Sequence, residues 1–143
     1  MKNTTINTDK SKSGSDSLQF YILSKGFNAG KPMKEPSENC FIVTGKNSQD
    51  KGKLYWICYS LWKSGTYVPL LRGSVIPFLR LSDVASEISK GIEFADNHES
   101  EFDATVIKLQ ELIRTEKLLS LQLRLIDGIK SSLTRKIMLP ARR

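Results

Sequence analysis

Apolar positions change their spacing along this chain, and each change marks an element. Residues 1–17 hold mostly Asn, Thr, Ser, Lys and Asp, with little to bury, which predicts a disordered arm. Residues 18–23 (Leu-Gln-Phe-Tyr-Ile-Leu) and 39–44 (Asn-Cys-Phe-Ile-Val-Thr) are rich in β formers and predict two short strands. Gly26, Gly30, Pro32 and Pro36 make the segment between them a loop, and residues 45–52 read as a polar turn.

From Lys53 to Lys63 the spacing becomes helical. Leu54, Ile57, Cys58, Leu61 and Trp62 fall on one stripe, and Tyr55, Trp56 and Tyr59 widen it, so the helix is expected to be buried on more than one side. Ser64-Gly65 ends it. Residues 68–71 and 75–81 predict extended pieces around Arg72-Gly73-Ser74. Ser82 then suits the N-cap of a short helix over 83–90, closed by Gly91.

Beyond residue 99 the alternation settles to three and four. Leu109, Leu112, Leu119, Leu123, Ile126, Leu133 and Ile137 form a seam of the kind that packs helices, broken only by Glu116 and Lys130. A continuous helix over 99–139 would run about 60 Å. Gly128 offers a place to fold it into a hairpin, and Pro140 stops it. Leu118, Leu121 and Leu125 widen the seam, which favours packing on a globular body or on more than one partner helix. The expected architecture is α+β. A small mixed sheet with short helices spans 18–98, a long amphipathic helix or helical hairpin spans 99–139, and a basic tail spans 140–143.

At 143 residues, 39% hydrophobic, the chain has enough material for one modest core. No apolar run approaches the roughly 20 residues that span a bilayer, and the polar start lacks a secretory signal pattern. A cytoplasmic location without membrane contact is expected. Cys40 and Cys58 lie in apolar neighbourhoods and are expected as buried thiols.

Charge narrows the partners. The net charge is +7. Its excess sits at the ends: +4 over residues 1–53 and +5 over 128–143, against balance over 54–98 and −2 over 99–127. Either end also suits a solvated tail, but a basic balance favours acidic partners, nucleic acid foremost.

Catalytic chemistry finds no support. His98 is the one histidine, in Asp96-Asn97-His98-Glu99-Ser100, and reads as a surface-loop residue. No metal-ligand spacing and no cofactor motif is present, and an enzyme is not expected. Glu99, Glu101 and Asp103 suit the start of the long helix. Gly26-Phe27-Asn28-Ala29-Gly30-Lys31-Pro32 lacks the gap and the Lys-Ser/Thr of a phosphate loop. It reads as a plain turn, or as an anion cradle of backbone amides with Lys25, Lys31 and Lys34. Arg72-Gly73-Ser74 and Arg80 are the sharper candidates, because arginine grips phosphates and reads guanine with paired hydrogen bonds. Trp56, Trp62 and Tyr67 could stack on bases, but their spacing favours the core.

Leu54-Tyr55-Trp56-Ile57, Trp62-Lys63-Ser64, Arg72-Gly73-Ser74-Val75-Ile76-Pro77 and Leu81-Ser82-Asp83-Val84 follow one another in an order that resembles the distal half of a target-recognition domain in type I restriction-modification specificity subunits. Residues 113–137 resemble the conserved helix of that family. The whole chain also resembles an uncharacterised family of small bacterial proteins with Gly-Lys-Pro, Asn-Cys-Phe and Arg-Gly-Ser-Val-Ile-Pro-Phe motifs. The first resemblance implies a half specificity unit that binds DNA without cutting or methylating it and that self-associates or docks on a partner through its helix. Lys25, Lys31, Arg72, Ser74 and Arg80 are the expected nucleic-acid contacts. The alternative expectation is an adaptor or inhibitor that docks on protein through the C-terminal helix, with no nucleic acid.

Overall fold

In the computed structural model, residues 5–7 and 17–139 are described. They form two units, the first reaching Glu99 and the second starting at Ser100. The first is an α+β body. Strands β1 (Thr5–Asn7), β2 (Gln19–Leu23), β3 (Pro32–Met33) and β4 (Cys40–Thr44) make one sheet in the order β1-β4-β2-β3. Every pairing among them is antiparallel, so the sheet is not the mixed one expected. The connections explain this: the links within 19–44 are loops, and a parallel neighbour needs a crossover of a dozen residues or more.

The disordered arm expected over 1–17 is corrected at β1. Ile6 pairs with Val43, and Val43 pairs on its other side with Phe20. One apolar side chain in a polar run sufficed, because the edge of β4 offers backbone hydrogen bonds that need no side-chain signal. Residues 1–4 and 8–16 of that arm, and the basic tail over 140–143, lie outside the described residues. The loop expected over 25–36 holds the two-residue edge strand β3.

Helix α1 (Ser48–Lys63) starts five residues before the expected Lys53, inside the expected polar turn. The Asn47 side chain accepts from the Asp50 amide at 2.8 Å, and the Asp50 carboxylate accepts from the Lys46 amide at 2.8 Å. This reciprocal cap holds the first turn despite Gly52. The predicted stripe packs inward, with Leu54, Ile57 and Cys58 buried. A 3₁₀ turn, Val68–Leu70, replaces the extended piece expected at 68–71, with Pro69 at its start.

Helix α2 (Leu81–Asn97) is about twice the length expected. Ser82 lies within it. Arg80 holds the N-cap position with no side-chain cap. Gly91 does not close the helix but lets α1 approach, since a Cβ there would come within 2.6 Å of Ile57 Cγ2. The core joins both helices to one sheet face: Phe20, Ile22, Phe41 and Val43 meet Leu54, Cys58, Tyr67, Leu79, Val84 and Ile88.

The second unit holds α3 (Glu99–Met138) from its second residue on, one helix of 40 residues. Gly128 does not break it, so the hairpin option is closed. None of its residues is buried. Among the described residues, no helix is long and apolar enough to cross a membrane.

Cys40 and Cys58 are free and buried, as expected. Burial pushes the Cys58 thiol well up from its ordinary value. Burial also raises the Tyr67 phenol, with Cys58 and Glu87 adding smaller contributions. Its hydroxyl has no hydrogen-bond partner among the described residues. Both groups therefore hold their protons to higher pH in the folded chain than in the unfolded one. Their support for folding is complete below about pH 8.5, where unfolded thiols begin to ionise. It is lost as pH rises, by up to about 1.4 kcal/mol per pH unit per group. Tyr67→Phe keeps the ring and removes one ionisation. It is expected to flatten the decline above about pH 10 in urea-unfolding midpoints measured against pH.

Candidate functional site

Two loops of the first unit are stitched together around Phe78. Lys25 and Arg72 each bridge to Phe78 in antiparallel fashion. The Phe78 amide donates to the Arg72 carbonyl at 2.8 Å, and the Arg72 amide donates to the Phe78 carbonyl at 3.0 Å. The Gly26 amide reaches the Pro77 carbonyl at 2.8 Å, and the Leu79 amide reaches the Ser24 carbonyl at 2.9 Å. Residues 75–81 thus make no strand of their own. Along 78–80 the side chains alternate: Leu79 is buried, whereas Phe78 and Arg80 are exposed.

This stitching sets exposed Lys25 and Arg72 on either side of Phe78, with exposed Arg80 two residues further along and exposed Ser74 on the intervening turn. Arg72 is partly held, its Nε lying 3.9 Å from an Asp83 carboxylate oxygen at the start of α2. The same loops push apolar groups into solvent: Phe27 is 90% exposed, Val75 84% and Ile76 63%. The sequence reading missed this apolar tip. Its available signal was an aromatic residue inside a Gly/Asn turn, where no core position calls for one.

Lys31 is not brought into the cluster. Its ammonium sits 5.6 Å from the Trp62 ring centroid, and Lys63 covers the same ring at 5.4 Å. A cation over an aromatic face is attracted by the ring quadrupole, which gives Lys31 a partner within the fold. Of the two readings of 26–32, the backbone favours the plain turn over the anion cradle. The amides of Gly26, Ala29, Gly30 and Lys31 all donate to backbone carbonyls, so the loop has few N–H groups to turn outward.

The aromatic residues divide. Tyr67 is core. Trp56 and Trp62 are half-buried members of an edge-on run from Phe20 through Tyr55, Trp56 and Tyr59 to Trp62, with centroids 5.4–5.9 Å apart. A shallow pocket lies at the start of α1, lined by residues that include Gln19, Lys34, Lys51 and Tyr55. Lys51 already donates to the Ser17 carbonyl at 2.7 Å. Burial raises the Tyr55 phenol, and Tyr59 adds to the shift.

His98 follows α2 directly and stacks on Phe94, with ring centroids 4.4 Å apart. Its Nδ1 lies 3.0 Å from the Phe94 carbonyl oxygen. Among the described residues no group of three or more His, Cys, Asp or Glu could hold a metal ion. On α3, Leu112, Leu119, Leu123, Ile126, Leu133 and Ile137 are exposed, and Leu109 is half-buried.

A family model described as a family of unknown function (DUF6943) matches residues 6–136, and the chain belongs to that family. No curated protein and no solved structure matches it. Nothing in these comparisons links it to type I specificity subunits.

Proposed function

We propose that this DUF6943 chain is a non-enzymatic nucleic-acid-binding module whose first unit grips duplex DNA with the loop pair around Phe78. The observation that carries the reading is the pairing of Lys25 and Arg72 with Phe78, next to exposed Arg80, on loops that also expose Phe27, Val75 and Ile76. Cations fixed on a stitched backbone meet phosphates at low entropic cost, and apolar tips enter grooves or wedge between base steps. Lys31 contributes less than the residue types suggested, because Trp62 holds it. A cytoplasmic setting and a half-unit kinship to specificity subunits fit the reading, and the kinship rests on the sequence motifs alone.

The test is fluorescence anisotropy with a random duplex across a salt series. Wild-type protein is expected to bind at about 50 mM salt, where electrostatic attraction is strong. Arg72→Ala with Arg80→Ala is expected to weaken binding and to reduce the salt slope by about two, one for each lost phosphate contact. Unchanged affinity and slope in that variant would overturn the assignment. A second reading, an adaptor or inhibitor that docks on protein without nucleic acid, draws on the exposed apolar stripe of α3. Wild-type protein that ignores duplex at low salt selects it.

A further inference from the structure

The seam of α3 is complementary to itself in one orientation only. Leu112, Leu119, Leu123, Ile126, Leu133 and Ile137 are each more than half exposed. Two charged residues interrupt the seam, Glu116 and Lys130, and they lie seven positions to either side of Leu123. The rest of the helix repeats that asymmetry. Residues 99–117 carry five acids and three bases, whereas 118–138 carry Arg124, Lys130, Arg135 and Lys136 against Asp127 alone.

From this we propose that α3 pairs with α3 of a second copy of this chain, antiparallel, about a two-fold axis near Leu123. A two-fold axis maps one surface onto itself, so each element must find its complement within the same chain. Antiparallel pairing does this: it sets the acidic half of one helix along the basic half of the other. Glu116 then falls within about one helical turn of the second copy's Lys130. A parallel pair in register would face Glu116 with its own copy and Lys130 with its own copy inside the seam, where like charges oppose one another with little water. An unrelated partner would have to reproduce both halves of this pattern. The breadth that Leu118, Leu121 and Leu125 add to the stripe suits two such pairs packing together, so the assembly is a dimer or a tetramer of antiparallel pairs. The inference stands independently of nucleic-acid binding.

Sedimentation equilibrium on the full chain is expected to give a dimer or a tetramer. Glu116→Lys turns the Glu116–Lys130 attraction into repulsion and is expected to weaken association at least about tenfold. Glu116→Lys with Lys130→Glu is expected to restore it. In a parallel pair, Glu116→Lys exchanges one like-charge contact for another and changes little. Orientation is read by mixing Leu109→Cys protein with Ile137→Cys protein under a short bis-maleimide, with wild-type protein reporting background from Cys40 and Cys58. The antiparallel pair links the two variants to each other. Linkage of Ile137→Cys to itself in the absence of linkage to Leu109→Cys, an unaltered association constant in Glu116→Lys, or a monomer at every concentration each overturns the proposal. A helix covered by its own body or by a foreign protein reads out as that monomer.

Discussion

Gly30→Ala is expected to lower the unfolding free energy by about 2–5 kcal/mol, read from urea denaturation. Two effects add at this position. The backbone holds φ at +96°, a region that a side chain with a Cβ enters at a cost of about 1–2 kcal/mol. A Cβ would also overlap the Tyr67 ring at Cδ2. Tyr67 is only 2% exposed and belongs to the central core cluster, so its ring has nowhere to move without displacing neighbours. Gly26→Ala separates the two effects. Its φ is +95°, but a Cβ there meets nothing within 4 Å. That variant is expected to lose only the backbone contribution, about 1–2 kcal/mol. Equal losses in the two variants would show that the Tyr67 ring yields, and that the loop is not pinned to the core at Gly30.

The same residues show which parts of the molecule were legible in the sequence. Elements with a periodic apolar face announced themselves: β2 and β4 by their β formers, α1 by the buried stripe through Leu54, Ile57 and Cys58, and α3 by a leucine spacing whose face stays exposed. Elements that depend on a distant partner did not. Strand β1 has one apolar residue to signal it and is fixed by a ladder to β4, nearly forty positions away. Gly91 reads as a stop because glycine costs about 1 kcal/mol inside a helix. Here α2 runs through it, because the missing side chain admits Ile57 of α1. The candidate site divides in the same way. Lys25, Arg72, Ser74 and Arg80 could be named from residue type and turn context. That Lys25 and Arg72 share a single partner, Phe78, and that Lys31 is diverted to Trp62, depends on pairings between segments far apart in the chain.

Phe20→Ala is expected to lower the unfolding free energy by about 3–5 kcal/mol. Phe20 is 1% exposed. It stands opposite Val43 on β4 and meets the Tyr55 ring of α1 edge-on, with centroids 5.5 Å apart. Truncation therefore removes a side chain that ties the sheet to α1, and the cavity opens between two elements that cannot both close on it. A domain of this size commonly has about 5–15 kcal/mol of stability, so the loss takes a large share of the total. Tyr21→Ala is the control on the same strand, since Tyr21 points to the other face of the sheet and is only half-buried. Its cost is expected to stay below about 2 kcal/mol. The midpoint of urea unfolding, followed by near-ultraviolet circular dichroism, separates the two variants. If Phe20→Ala lost no more than Tyr21→Ala, the face of β2 turned toward α1 would not be the core of the first unit. The loops around Phe78 would then lose their support, because Leu79, which anchors them, packs in the same cluster as Phe20.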